Sequence, residues 1–536
     1  MATPGSRRAT TALPIILVAA LLGPLLGIAV VFGAIPLIGI GSLVAALVLV
    51  AFPLAGLWVL AVGALCVAGM VELYLPGLQQ VRWVFVLMAM LLAFSSVVGH
   101  FARSTRLAAP GSRAANTGAI VPLAALFFAL SAVSALLSGQ GVLGALSGLK
   151  GYFQIWGLWL ALYFLGLPLA QVARFVAWLL PLAVLQWPVV LHQYLFLVPL
   201  RRGMETTTKG LVAIDVVSGT FGGALAGGGR SAALVVLAMA GVALAIMRYR
   251  VGRSTSLLST WLLIALCIGP LAFSEVKLVF VLLPLTLGLL FAGQLIKRPV
   301  MVLLGAGITV AALFGMLFLY STMIAVKGGS KTQVENYVYT SLGYNVGEGG
   351  YGNSGLNRLK VYQFWWQEHA KTGDTVQALF GHGPGVVNTT SLAGNDSLAT
   401  KRYAGYSPGL TGLSTLLWEV GVVGALLYLA FLASVYRAAR KLERHAALAS
   451  VLPELVTARI LVALMAVCLL HNNLLQIDLA TQALLAMAIG LVLVARRQVA
   501  GLPVSAFMTT ITPTLALPAR TVFGIRPLAP PTRART

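Results

Sequence analysis

Two stretches decide the fold: Leu278-Val279-Phe280-Val281-Leu282-Leu283-Pro284-Leu285-Thr286-Leu287-Gly288-Leu289-Leu290-Phe291 and Leu484-Leu485-Ala486-Met487-Ala488-Ile489-Gly490-Leu491-Val492-Leu493-Val494. Neither contains a charge, and each extends into a run near the ~20 apolar residues that a helix needs to cross a bilayer. The same texture covers most of the 536 residues: 59% are hydrophobic, 9% are charged, and the mean hydropathy is +0.94. A soluble domain carries roughly 25% charged residues, so this chain cannot be kept in water by its own surface. The fold class expected is an all-α, polytopic membrane bundle.

A ~19-residue hydropathy window predicts about fourteen spans, near 11–32, 35–51, 54–72, 83–102, 119–137, 152–169, 175–199, 231–248, 257–273, 278–295, 299–322, 413–436, 457–471 and 474–495. Arg7 and Arg8 precede the first run, which lacks a small-residue cleavage site and is read as a retained helix. The chain thus divides into a bundle over 1–325, a large polar loop over 326–412, further spans over 413–495 and a Pro-, Thr- and Arg-rich tail over 496–536. The formal net charge of +23 is not spread evenly. Lys and Arg gather in short loops, at Arg103, Arg106 and Arg113, at Arg248, Arg250 and Arg253, at Lys297 and Arg298, at Arg437, Arg440, Lys441 and Arg444, and at Arg496 and Arg497. That is the positive-inside pattern, and it places both termini in the cytoplasm. No basic face with stacking aromatics accompanies the charge, so nucleic acid is excluded as a partner. Cys66, Cys267 and Cys468 lie in apolar spans and behave as small hydrophobes.

The chain has no GxxxxGK[ST] phosphate loop, no HExxH and no paired CxxC, and its four aspartates (Asp215, Asp374, Asp396 and Asp478) never form Asp-x-Asp. What remains is a set of polar groups on the non-cytoplasmic side. Near helix ends these are Glu72, Arg82, Lys150, Gln154, His192, Gln193, Glu275, Lys277, His471, Gln476 and Asp478; from loops come Arg201, Arg202, Arg230, Arg358 and His382. Any one of them is ordinarily a snorkelling or solvated side chain. Together they predict a cationic cavity suited to a pyrophosphate, which guanidinium binds in bidentate fashion. In Ser274-Glu275-Val276-Lys277, squeezed between two spans, Lys277 offers a charge to phosphate and Glu275 a base for a hydroxyl; the plain alternative is a pair that neutralises itself.

Within the large loop, Asn353 and Ser354 are cap candidates for a helix from Leu356 to His369, with Gly373-Asp374 as its stop. Helical spacing puts Arg358, Tyr362, Trp365 and His369 on one face. Gly381-His382-Gly383-Pro384-Gly385 follows, whose glycines permit positive φ and a nest of N–H groups around an oxyanion.

These features, with Glu419, Gly421 and Gly424 in the next span and Val217-Ser218-Gly219-Thr220-Phe221-Gly222 before the mid-chain helix, resemble the O-antigen ligase and polymerase superfamily of bacterial membrane glycosyltransferases. The resemblance covers roughly 210–430 in motif and the whole chain in topology. It implies an inner-membrane bundle with one large periplasmic loop containing short helices. It also implies metal-independent, inverting transfer without a cofactor, polymerising undecaprenyl-pyrophosphate-linked repeat units into O-antigen or exopolysaccharide. Arg358, Lys277 and Glu275 would be catalytic; Arg230, Arg201, Tyr362, Trp365, Gly381, His382, Gly383, Gly385 and His471 would bind substrate. Partners would be the lipid-linked donor and acceptor, membrane lipids and a chain-length regulator. Two departures are visible: the family's mid-chain arginine is replaced by Lys277, two positions late, and the histidine that ligases carry after the loop is absent from Gly409, Leu410 and Thr411. The second favours polymerase over a ligase that moves finished glycan to a lipid or protein. A transporter or flippase for the same lipids is the reading from another class, disfavoured by the lack of an internal repeat.

Overall fold

A computed structural model describes residues 47–48, 51–78, 80–106, 117–138, 141–204, 212–225, 230–254, 256–295, 297, 299–325, 345, 355–387, 398, 402–403 and 405–501. The first expected span, the second apart from residues 47, 48 and 51, much of the 326–412 loop with the cap candidates Asn353 and Ser354, and the tail beyond 501 lie outside the described residues. Among the described residues the chain is helical, without strands. In order the helices are α1 (Pro53–Tyr74), α2 (Pro76–His100), α3 (Ile120–Leu137), α4 (Gly141–Phe153), α5 (Trp156–Phe164), α6 (Leu169–Met204), α7 (Ser231–Arg250), α8 (Leu257–Phe273), α9 (Val279–Gly293), α10 (Gly305–Ser321), α11 (Lys360–Thr372), α12 (Thr375–Phe380), α13 (Gly412–Leu442), α14 (Ala446–Cys468) and α15 (Leu479–Ala500). By length and composition, α1, α2, α3, α6, α7, α13, α14 and α15 are able to cross a membrane, eight in all among the described residues; α8, α9 and α10 are shorter apolar helices.

α7 and α15 are buried along nearly their whole length and form the centre. Helices apolar on every face belong in such a position. Small residues on α7 (Ala232, Ala233, Ala238, Ala240 and Ala243) let α8 and α14 approach its backbone. α5 packs between α2 and α15, and α3 lies along α13.

The expected single helix over 152–169 is not formed. α4 runs on to Phe153, the chain breaks at Gln154 and Ile155, and α5 restarts at Trp156. The cause is local. The carbonyl of Gly151, which a continuing helix would give to Ile155, accepts instead from the side-chain amides of Gln482 at 2.6 Å and Gln154 at 3.3 Å.

α7 is 20 residues long, hence ~30 Å at 1.5 Å per residue, and it separates two polar ends. At one end Arg248 and Arg253 flank Glu454 (3.8 and 3.4 Å), Arg459 meets Glu443 at 2.5 Å, and Arg497 donates to the carbonyls of Tyr163 and Leu167. Arg248 and Arg497 sit in the last turns of their helices, where the exposed carbonyls favour positive charge. The other end holds the candidate site.

Candidate functional site

The site starts from a helix that does not stay regular. α6 passes through a π-turn at Gln193–Leu197 and finishes in Val198–Met204, which carries Arg201. Two glutamines of α6 hold the buried stretch that follows. Gln193 Oε1 accepts from the N–H groups of Ser218 (3.0 Å) and Gly219 (2.8 Å), and its amide donates to the Gly219 carbonyl. Gln186 Oε1 accepts from Thr220 N–H at 2.9 Å. Stapled in this way, the short 3-10 turn Ala213–Val216 brings Asp215 against the segment that carries Arg201.

Asp215 is the centre of a charged cluster. Burial pushes its carboxyl above the ordinary range, while Arg201, Lys277 and Arg358 pull it back down. Arg201 is 1% exposed. Lys277 comes from the tight turn before α9, where it pairs with Glu275 at 3.9 Å. Burial lowers the pKa of Lys277, Glu275 and Asp215 raise it, and Arg358 adds to the lowering. Glu275 adopts φ 49°, a left-handed conformation that costs an ordinary residue about 1 kcal/mol; the turn is held in shape at that expense. Arg358 donates through Nε to the His471 carbonyl at 2.8 Å and through Nη1 to the side chain of Asn345. Beside these cations the His471 imidazole is driven down to about 3, by burial first and then by Arg358 and Lys277. It is neutral at physiological pH. The structure therefore brings Arg201, Lys277, Glu275, Arg358 and His471 together. Asp215 is the member that sequence reading missed as a site residue; a lone aspartate flanked by Ile214 and Val216 carries no motif.

Arg230 is differently engaged. Its Nη2 lies 2.7 and 2.8 Å from the two oxygens of Glu72, and its Nε lies 3.1 Å from Asp478. With two carboxylates on one buried guanidinium, its charge is compensated within the fold, which corrects its expected role as an anion binder. Asp478 is likewise committed: its other oxygen caps α15 by accepting from Thr481 N–H and Oγ1, both at 2.7 Å.

The helix carrying the loop motif begins at Lys360, capped by Asn357, whose Oδ1 accepts from the N–H groups of Leu359 and Lys360. It stops at Gly373, at φ 65°. Its expected face is the one that packs on the bundle. Tyr362 bonds Thr411 at 2.8 Å, and Trp365 is buried with its Nε1 donating to the Leu417 carbonyl at 3.2 Å. His369 lies between Trp365, Trp418 and His382. Trp365 is thus a packing residue, not a platform for a sugar ring. His382 joins the same aromatic nest, and burial, with help from His369, lowers its pKa to about 4.

The expected oxyanion nest is also corrected. α13 is two helices joined at Gly421, whose φ is 68°. A break of that kind leaves carbonyls without helical partners, and buried ones must find others. The glycine turn supplies them: His382 N–H donates to the Trp418 carbonyl at 2.8 Å and Gly383 N–H to that of Glu419 at 2.9 Å, with Ser134 Oγ on the same oxygen at 3.0 Å. Gly381 N–H is used by Gln377. A Cβ on Gly381 would stand 2.3 Å from the Glu419 carbonyl group, and one on Gly421 2.3 Å from that of Leu379. The glycines therefore splice the turn into the helix break, with the N–H of Gly383 spent on α13 and that of Gly381 on the end of α12. Gly385 N–H acts on the Glu419 carboxylate, as does Val387 N–H at 3.4 Å.

No protein-family model matches the chain, and no curated protein matches it.

Proposed function

We propose that the protein is a membrane glycosyltransferase that joins undecaprenyl-pyrophosphate-linked oligosaccharide units into a surface polysaccharide. The single observation carrying this reading is what gathers at one end of an apolar bundle: the segment of Arg201 against the turn that carries Asp215, Lys277 paired with Glu275, and Arg358 on the His471 carbonyl. A diphosphate anchored in the bilayer would enter such a cluster at the membrane surface, and guanidinium groups bind its oxygens in bidentate pairs. As the bond from the anomeric carbon to the diphosphate oxygen breaks, fixed cations stabilise the charge that develops on the leaving group. Donor and acceptor, both held by lipid anchors, meet with little orientational freedom left to lose.

The reading extends to topology. Fourteen spans would set both termini in the cytoplasm of a bacterial inner membrane, with the Arg248, Arg253 and Arg497 end inside and the 326–412 loop in the periplasm. The test is to incubate purified protein with lipid-linked repeat units, with and without EDTA, and to size the products. A ladder of lengthened glycan is expected in both samples and none with Arg358→Ala. Repeat units that stay single with the wild-type protein would overturn the proposal, and units moved across a vesicle without lengthening would make the protein a transporter.

A further inference from the structure

Next to the charged cluster lies a cavity of about 260 Å³, with room for one sugar ring. Glu419, Gln476, Asn473, Thr415, Tyr152 and Ser147 line it. It is tied to the cluster through one short segment: the His471 carbonyl holds Arg358, while Asn473 and Gln476, a few residues on, face the cavity.

Two buried side chains define what the cavity can take. Gln476 is 2% exposed, and among the described residues neither its Oε1 nor its Nε2 has a hydrogen-bond partner. A buried amide left so destabilises the fold until a ligand satisfies it. A phosphate offers only acceptors and an alkyl chain offers neither, whereas a hydroxyl donates and accepts at once. Glu419, also 2% exposed, presents its carboxylate from the helix break, where the Val387 N–H and the Gly385 N–H orient it and Tyr152 stands beside it. A carboxylate wall repels an anion and accepts from a hydroxyl.

We propose that this cavity seats a sugar of the acceptor glycan and that Glu419 takes the proton of its attacking hydroxyl, an inference that rests on the glycosyl-transfer reading above. The hydroxyl proton moves to Glu419, the oxygen lone pair forms the new bond to the donor's anomeric carbon, and the bond from that carbon to the diphosphate breaks with its electron pair leaving on the lipid diphosphate. Gln476 is a binding residue that both donates to and accepts from the sugar.

The experiment uses the full-length protein in nanodiscs and saturation-transfer NMR with the methyl glycosides of glucose and N-acetylglucosamine as probes. Transfer to a glycoside is expected with the wild type and is lost in Gln476→Leu; Ser147→Leu, which narrows the same cavity from α4, repeats the loss should the first variant not fold. Glu419→Gln keeps the glycoside signal and loses polymer growth. No transfer with the wild type, or an unchanged signal in both cavity variants, overturns the sugar site. Wild-type polymer growth in Glu419→Gln overturns the proton role while leaving the cation cluster standing. A wild-type protein that binds glycosides yet never extends lipid-linked units sinks the transfer reading and the proton role with it, and leaves the sugar site in place.

Discussion

Arg230 and Arg358 stand at the same end of the bundle and are held in opposite ways. Arg230 is clasped by the carboxylates of Glu72 and Asp478. The contacts of Arg358 with the His471 carbonyl and Asn345 are to neutral oxygens, and it shares Asp215 with Arg201 and Lys277. The first arrangement joins α1 and α15 to the entry of α7 and leaves the guanidinium nothing further to do. The second holds a guanidinium on a backbone carbonyl and a side-chain amide oxygen and sets two more cations near it. Residue type and sidedness are the same in both cases; the chemistry on offer differs because of the partner atoms.

That contrast can be broken from either side. The largest effect is expected at the clasp: Glu72→Leu removes one carboxylate from a part-buried arginine, at a cost approaching the ~3–5 kcal/mol of a fully buried pair, and should abolish recovery of monodisperse protein from the membrane. Recovery at the wild-type level would show that Asp478 alone suffices. Next, Arg358→Lys should elute like the wild type from a gel-filtration column and yet lose ~10²–10³-fold in polymer formation, because an ammonium cannot repeat a bidentate contact. Full activity in that variant would reduce Arg358 to a generic point charge. The smallest effect is on acid stability. His471 is held near 3 in the folded protein, against about 6.5 for an ordinary histidine. Its neutral form therefore stabilises the fold fully above ~6.5, and that contribution is lost as pH falls from there towards 3. His471→Asn should flatten the acid limb of a thermal-melt series, and an unchanged limb would mean that other groups carry it.

The bundle was legible because hydropathy is additive: α7, α13 and α15 fall where a sliding window puts them. The break between α4 and α5 was not, since it depends on Gln482 reaching the Gly151 carbonyl from a helix far away in sequence. The site was half legible. Arg358, Lys277 and Arg201 could be listed as outward-facing cations, but nothing in the order of residues says that Arg230 meets Glu72 while Arg358 meets a carbonyl. The glycine turn shows the limit most clearly. Gly381, Gly383 and Gly385 advertise unusual backbone angles, and two readings follow equally well, N–H groups free for an anion or N–H groups consumed by a neighbouring carbonyl. Only the position of the broken α13 decides between them. Glu419, visible in sequence only as a motif letter, acquires its setting from the same break.

The splice between the glycine turn and α13 also limits how the protein can move. Lifting residues 381–387 away would strip the Trp418 carbonyl of the His382 N–H and leave the Glu419 carbonyl with Ser134 Oγ in place of two donors, in apolar surroundings. The turn cannot serve as a swinging gate. Any opening of the molecule has to leave this segment in place, as a fixed jamb of the fold.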